Sequence, residues 1–405
     1  MHPDKVLRYC TFALLYFVQG IVWSYFISLN SLYLLSHGLT LTQIGVFGML
    51  VYIPFIVKVL LGILSDRVNL FGLGHRKPWI LIGLVLQSLC LLIIPAINPS
   101  SGFWLLTGTS LLLLLGMALY DTSTDGLAVE TADVGEEGII QASMVSGRAL
   151  GVVVAGSSLG FLAESVSWRA VFLVLAAATL LPLPLAAAMK EIKRAPGQRF
   201  EWKAFSSLKS PRIILLVLAG LAVSSAMAGA NQLLNPFLQE SFKISLGKAG
   251  LYTTIWGLGF FAGGAIGGLL HRRLGERSAS SMAVPGIILG ILLLALIPNT
   301  LLAWGIAALF GIAYGIFSVV FYSVSMHVCD TRIAASMFSI QMAFVNLATS
   351  IGIGLGGVLS DSIGFRPTFL VFAALPLMAL PLFGRFFKQE TRPRHDTTER
   401  VHIRD

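Results

Sequence analysis

The sequence predicts an all-α membrane protein with twelve transmembrane helices in two six-helix, pseudo-symmetric halves. Of its 405 residues, 56% are hydrophobic and only 12% are charged, and the mean hydropathy is +0.83. A soluble domain of this length could not bury that much apolar surface. Runs of about 20 apolar residues, the length that crosses a hydrocarbon core about 30 Å thick, recur along most of the chain. A segment repeated half a chain apart relates the two halves.

The predicted spans divide the chain evenly. They cover residues 9–31, 43–64, 78–97, 104–130, 139–163, 168–189, 212–238, 248–270, 280–298, 302–328, 333–360 and 366–387. The longest hydrophilic stretch between spans runs from Lys190 to Arg212, with six spans on either side. We therefore predict an N-terminal half (1–190), a linker (191–211), a C-terminal half (212–388) and a tail (389–405).

Basic residues predict the orientation. Of the 28 Lys and Arg, only four fall near the odd-numbered connections: Arg169, Lys243, Lys248 and Arg366. The positive-inside rule then places both termini and the linker in the cytoplasm, for a protein of the cytoplasmic (inner) membrane. The net charge of +9 reflects this topology, so we expect a lipid bilayer around a monomer and no nucleic-acid partner.

Two repeated patterns support the halves. Residues Gly160 to Arg169 resemble Gly357 to Arg366, at an offset of 197 residues. Such a shift, across an even number of spans, predicts parallel repeats.

The second pattern, Gly62-Ile-Leu-Ser-Asp66-Arg67, has a counterpart at Gly267–Arg272 in which His271 replaces the aspartate. It resembles the facilitator signature between the second and third helices. There a glycine allows close helix approach, an aspartate faces a helix end, and basic residues follow. The predicted gating and helix-contact residues are Gly62, Asp66, Arg67, Arg76 and Lys77.

Ionisable residues inside predicted spans are functional candidates, because lipid makes them costly. Asp121 and Asp125 lie one helical turn apart, and Arg148 lies at the depth of Asp121 on the next, antiparallel helix. Lys58 lies near the depth of Asp125, where it either pairs with that acid or snorkels to the headgroups. Two carboxylates with a single arginine leave one acid under-neutralised, which predicts proton coupling through Asp121, Asp125 and Arg148. The alternative is a fixed ion pair that only sets helix register.

Polar and aromatic residues inside the spans are candidates for a substrate cavity. Each has an alternative role in helix packing. They are Gln19, Trp23, Tyr120, Gln232, Asn235, Tyr314, Tyr322, Gln341 and Asn346.

The first half resembles a branch of the major facilitator superfamily. The resemblance rests on Leu15–Gly20, Tyr52 with Lys58, Ser65–Arg67, Asp121–Gly126 and Gly147–Leu150. It is to the branch that contains AmpG-type muropeptide permeases and acetyl-CoA transporters. The resemblance implies proton-driven movement of a bulky anionic or peptide-like solute, and it puts Asp121, Asp125 and Arg148 at the branch's buried charged positions.

We therefore expect a secondary transporter that imports a muropeptide-like, acyl-CoA-like or siderophore solute by alternating access. A proton-driven efflux pump for small amphipathic compounds is one alternative, and a non-transporting assembly factor or receptor is another. The residues predict no metal site, no cofactor and no enzyme, since they include no metal-ligand cluster, nucleophile–base set or phosphate loop.

Overall fold

A computed structural model describes residues 3–72, 74–131, 137–189, 209–328 and 334–390. Within these residues the chain is helical and contains no strand. The helices of the first half are α1 (Pro3–Ser24), α2 (Asn30–Ser36), α3 (Leu41–Val51), α4 (Ile53–Ile56), α5 (Lys58–Arg67), α6 (Lys77–Ile93), α7 (Phe103–Thr131), α8 (Glu137–Ser165), α9 (Trp168–Leu180) and α10 (Leu183–Ala188). A π-helical turn, Tyr25–Leu29, joins α1 to α2.

The described residues of the second half are also helical. Its helices are α11 (Pro211–Phe242), α12 (Leu246–Ala295), α13 (Thr300–His327), α14 (Ala334–Ile363), α15 (Phe365–Ala374) and α16 (Ala379–Glu390). Short 3₁₀ segments occur at Leu70–Gly72, Ile94–Ala96 and Leu375–Met378.

The described residues form eleven helical segments that are long and apolar enough to cross a membrane, against twelve predicted spans. The difference lies in α12. Its 50 residues would extend about 75 Å, more than twice the thickness of a hydrocarbon core. Gly275, at φ 75° and ψ 168°, interrupts the helix, and the predicted spans 248–270 and 280–298 lie on either side of it. A positive φ suits glycine, which lacks a Cβ.

Two spans of the first half are interrupted rather than straight. The first runs from Lys5 to Ser36 through the π-helical turn, so it is longer than the predicted 9–31. The second, Leu41–Ser65, breaks at Tyr52 and at Val57, on either side of Pro54. Proline cannot donate a helical hydrogen bond, which accounts for this interruption.

We call the end of the bundle where α7 ends and α8 begins the linker end, and the opposite end, where α2 ends and α3 begins, the far end. The halves pack closely towards the far end through the repeated glycines. A Cβ at Gly160 of α8 would overlap the Leu246 carbonyl at the start of α12, and one at Gly357 of α14 would overlap the Leu41 carbonyl at the start of α3. The repeated segments therefore make equivalent contacts across the interface.

The acid four residues after each glycine also makes an equivalent contact. Glu164 Oε2 accepts a hydrogen bond from the Gly247 amide at 2.9 Å. Asp361 accepts from the Leu41 and Thr42 amides at 3.2 and 2.6 Å. Each carboxylate therefore caps a helix N-terminus of the opposite half, where free amides and the helix dipole favour negative charge.

Other hydrogen bonds between described residues of the two halves lie between the middle of the bundle and the far end. Asn346 and Ser350 of α14 donate to the Phe55 and Met49 carbonyls, both at 2.8 Å, and Asn235 of α11 donates to Ser28. The contacts between the described parts of the two halves are therefore concentrated towards the far end.

The predicted linker, 191–211, lies mostly outside the described residues, as does nearly all of the tail, 389–405. The domain boundaries accordingly remain a prediction.

Candidate substrate and coupling site

The charged residues of the first half meet in one cluster around Asp121. Lys58 Nζ lies 2.9 Å from Asp121 Oδ2, and Arg148 Nη2 lies 3.6 Å from Oδ1. Gln19 Nε2 donates to the same Oδ1 at 2.6 Å. Asp121 is 5% exposed, so a buried carboxylate is compensated by two cations and an amide donor.

The negative charge of Asp125 is less well compensated than that of Asp121. The Tyr16 hydroxyl donates to Asp125 Oδ1, and Lys58 Nζ lies 3.9 Å from Oδ2. Lys58 does pair with Asp125, one of the two alternatives predicted for it, but its hydrogen bond is to Asp121, a partner that was not predicted. The cluster contains the single predicted arginine, but Lys58 adds a second cation that the charge count left out. The cluster holds two cations and two carboxylates, and both cations lie closer to Asp121.

Two side chains of α1 connect these charges. The Gln19 carbonyl oxygen accepts from Arg148 Nη2 while its amide nitrogen donates to Asp121, so Gln19 bridges the cation and the acid. Tyr16, one turn earlier, places its ring 4.6 Å from the Arg148 guanidinium and its hydroxyl on Asp125. Each acid is therefore linked to Arg148 through a different residue of the same helix face.

Small residues bring α1 and α8 close enough for these contacts. A Cβ at Gly20 would overlap the Arg148 carbonyl, and Cβ atoms at Gly147 and Gly151 would overlap the Ala13 and Phe17 carbonyls. In lipid, such close backbone approach is the usual function of small residues. Lys58 is positioned differently, since it opens α5 directly after the break that follows Pro54.

The cluster faces the space between the halves. The Asp125 and Arg148 side chains are 44% and 46% exposed, and Lys58 is 28% exposed. Tyr322 of α13, 37% exposed, lies within electrostatic range of Arg148 from the other half.

Aromatic residues of both halves lie near the cluster. The Trp23 ring lies 5.5 Å from Tyr52 and 5.4 Å from Phe55. On the other half, Tyr314 contacts Trp256 edge-on at 5.5 Å. Tyr314 and Tyr322 both lie within electrostatic range of Tyr52, so the predicted cavity residues Trp23, Tyr314 and Tyr322 are grouped around that side chain.

The other predicted cavity residues have different surroundings. Gln232 is half-buried in α11, and Asn235, Gln341 and Asn346 donate hydrogen bonds to Ser28, the Ser325 carbonyl and the Phe55 carbonyl. Tyr120 is 1% exposed, and its backbone packs against Gly83 of α6, inside the first half.

The signature residues surround the linker end of α7. A Cβ at Gly62 would lie 3.2 Å from Thr122 of α7. Arg76 donates to Ser65 Oγ at 2.5 Å and lies against Gly126, next to Asp125, while Lys77 donates to the Met189 carbonyl at 3.2 Å. The side chains of Asp66 and Arg67 lie outside the described part.

Sequence reasoning missed Tyr16 and Trp256. Tyr16 precedes Gln19 by three residues, a spacing that puts both on one helix face, and this signal could have identified it. For Trp256, one aromatic residue among many in the spans, no such signal exists.

A cluster of buried charges within one of two repeated helical halves that pack against each other fits the architecture of a membrane transporter. The family model described as Major Facilitator Superfamily matches residues 12–343. The chain belongs to this superfamily.

Individual relatives agree with that family. The chain is 26% identical over 382 residues, 87% of its length and 75% of the relative's, to a folate-biopterin transporter of Synechocystis sp.. It is 24% identical over 397 residues, 90% of its length and 92% of the relative's, to putative transporter AmpG 4 of Rickettsia conorii. Its fold matches an inward-facing, unoccupied bacterial homologue of the lysosomal transporter Spinster, with a TM-score of 0.76 at 16% identity over 96% of this chain and 99% of that one.

Proposed function

We propose that the protein is a proton-coupled importer of a bulky organic anion that works by alternating access. The observation that carries this proposal is the unequal compensation of the two acids. Both cations lie closer to Asp121, whereas Asp125 has a tyrosine hydroxyl and a cation 3.9 Å away. A carboxylate so placed, and 44% exposed, is suited to exchange a proton with water.

Arg148 is the proposed binding group for the solute. Its guanidinium is 46% exposed and lies 3.6 Å from Asp121, a longer contact than that of Lys58. An anionic group of the solute can therefore bind the open face of Arg148, with Lys58 left to neutralise Asp121. When the solute leaves, Asp121 again provides the countercharge, so that Arg148 is never unpaired.

An acidic solute fits this cation. Muropeptide-like, acyl-CoA-like and siderophore solutes remain in the proposed class. Folate, after which the relative from Synechocystis sp. is named, also carries carboxylates.

Import is the proposed direction, in keeping with the permease branch that the first half resembles. With the linker end in the cytoplasm, the contacts at the far end would close the outer side, as in a state from which an importer releases solute and proton. Opening at the far end would require the glycine contacts and carboxylate caps there to separate.

Asp125→Asn tests the proposal, because the amide keeps the size of the side chain but cannot exchange a proton. In proteoliposomes with an imposed pH gradient, we expect gradient-driven accumulation of radiolabelled folate or a muropeptide to be lost. Exchange of the same solute across the membrane without a gradient should persist.

Glu240→Gln, at an exposed acid near the far end, is the matched control and should accumulate solute as the wild type does. Gradient-driven accumulation that is unchanged in Asp125→Asn would contradict the proposal.

A further inference from the structure

An apolar groove runs along the surface of the second half, between α13 and the part of α12 that follows Gly275. Its lining comes from residues between Met282 and Leu293 of α12 and between Leu309 and Ile316 of α13, and every lining residue is apolar. The volume of the groove is about 190 Å³. An apolar cavity of about 150 Å³ can hold a benzene molecule, so the groove has room for several methylene groups.

The groove faces lipid rather than the first half. Met282, Leu289 and Leu309 at its edges are 53%, 58% and 52% exposed. The glycine contacts of α12 with α8 involve Gly247 and Gly250, which lie before the turn in that helix. In a membrane, the molecules that meet this surface are therefore acyl chains.

The groove exists because α12 and α13 pack less closely than the equivalent helices of the first half. A Cβ at Gly116 of α7 would lie only 2.7 Å from the Gly83 carbonyl of α6. At the repeat offset of 197 residues, Gly116 corresponds to Ala313, whose methyl group lines the groove and would lie 3.5 Å from a Cβ at Gly290. A Cβ at Gly286 would meet nothing within 4 Å, so the small residue at this position keeps the groove open.

The length and position of the groove match an acyl chain of one leaflet. From Met282 to Leu293 the helix rises about 16 Å, roughly half of a hydrocarbon core about 30 Å thick. Met282 lies near the linker end of the predicted span 280–298, so the groove begins close to the headgroups on that side. A volume of about 190 Å³ over this length is far narrower than a helix about 10 Å across, which favours one acyl chain over a helix of a second copy.

Exposed basic residues lie at the linker end of the groove. Arg272, Arg273 and Arg277 surround the turn in α12, and Arg277 precedes Met282 by five residues, or about 7 Å along the helix. Within the part of the chain that the structure describes, these three guanidinium groups have no ion pair or hydrogen bond. They are therefore available to an anion at the membrane surface.

The acid at the turn has a different partner. Glu276 is 17% exposed and contacts His327 Nδ1 of α13, rather than any of the arginines. The positive-inside rule accounts for basic residues on this side of the membrane, but not for their position at the mouth of an apolar groove. Clusters of basic residues beside a membrane attract anionic headgroups.

We propose that the groove and the arginines form a binding site for one phospholipid with an anionic headgroup. One acyl chain lies in the groove, and the headgroup phosphate contacts the arginines at the turn. A lipid bound in this way joins α12 to α13 where the two helices pack loosely. The site is separate from the charge cluster and does not depend on the proposed function.

Lipid binding to the purified protein in detergent tests the headgroup contact. Native mass spectrometry compares dioleoylphosphatidylglycerol with dioleoylphosphatidylcholine, which share their acyl chains and differ in headgroup charge. We expect the wild type to bind the phosphatidylglycerol about tenfold more tightly. Arg273→Gln/Arg277→Gln should remove most of this preference, whereas Lys209→Gln/Arg385→Gln, which neutralises two other exposed basic residues of the linker end, should keep it.

Gly286→Leu tests the acyl-chain contact, because it places a side chain in the groove where a Cβ meets no other atom. We expect both lipids to bind about tenfold more weakly to this variant. Gly305→Leu is the matched control, since Gly305 is an exposed glycine of α13 outside the groove, and it should bind both lipids as the wild type does.

Equal binding of the two lipids to the wild type would overturn the site, and so would unchanged binding to Gly286→Leu. A wild-type dimer that Gly286→Leu dissociates would also overturn it and would identify the groove as an interface between copies of the chain. The comparison of lipids on the wild type is decisive even if Gly286→Leu does not fold.

Discussion

At the residue scale, Tyr16 contacts both Asp125 and Arg148 and so connects an acid of the charge cluster with its arginine. Its hydroxyl donates to Asp125 and its ring lies against Arg148. An ionised Asp125 can only accept, so the Tyr16 hydroxyl donates to it. A protonated Asp125 carries an O–H donor of its own, and the hydrogen bond from Tyr16 then weakens or reverses. The protonation state of Asp125 can thus influence the position of the Tyr16 ring beside Arg148, the proposed binding group for the solute.

Tyr16→Phe separates these two contacts, because it keeps the ring and removes the hydroxyl. We expect gradient-driven accumulation in proteoliposomes to fall about tenfold, while gradient-free exchange changes little. Tyr9→Phe, on the same helix, is the control and should match the wild type. An equal loss in both assays would indicate a packing role for Tyr16 rather than coupling.

The sequence was sufficient to predict the pairing of Asp121 with Arg148, since depth along two antiparallel helices depends only on residue number. It was insufficient for Lys58, because the break beside Pro54 sets the direction of that side chain. Gln19 was predicted to line a cavity, whereas the structure places it between Arg148 and Asp121. Only the packing of α1 on α8 determines that contact.

At the scale of the elements, hydropathy predicted where the spans lie but not where they bend. The π-helical turn of the first span and the two breaks of the second leave the apolar pattern unchanged, so they have no signature in hydropathy. Gly275 is the opposite case. The basic residues around it predicted a loop, and the structure makes the turn almost entirely at that residue.

The α1–α8 contact gives a stability prediction. Gly147→Ala adds a Cβ that would overlap the Ala13 carbonyl, so the helices must move apart at a cost on the order of 1–3 kcal/mol. We expect a lower melting temperature in detergent, followed by tryptophan fluorescence, together with weaker solute binding at Arg148.

Gly305→Ala is the matched control, because a Cβ at Gly305 of α13 meets nothing within 4 Å. There the gain in helix propensity, up to about 1 kcal/mol, should leave the protein as stable or more so. A Gly147→Ala protein as stable as the wild type would show that the two helices can separate without cost.

At the scale of the whole molecule, the two halves resemble each other in their contacts at the far end, whereas the charge cluster belongs to the first half. Glu164 and Asp361 occupy equivalent positions of the sequence repeat, and each caps a helix of the opposite half. The repeat was visible in the sequence, but its partners were not, because the pairing of α8 with α12 and of α14 with α3 is a property of the tertiary fold. These caps are suited to hold the far end closed.

Replacing both acids tests that role. In Glu164→Gln/Asp361→Asn the amides keep the side-chain shape but lose the attraction of a negative charge to a helix N-terminus, about 0.3–1 kcal/mol each. We expect more molecules open at the far end. Spin labels at positions 36 and 362, in a background without the three native cysteines, should show longer distances by pulsed electron resonance. An unchanged distance distribution would show that the glycine contacts alone keep this end closed.

The π-helical turn of the first span has a consequence for the interface between the halves. Gln19 precedes the turn and Ser28 lies within it, so the turn sets the angle between the helix face that meets Arg148 and the face that meets Asn235 of α11. One residue of an α-helix corresponds to a rotation of about 100°. Removing one residue from Tyr25–Leu29 would restore regular winding and turn the later part of the helix by that angle. The alignment of the charge cluster with the contact to the second half thus depends on a single residue of chain length.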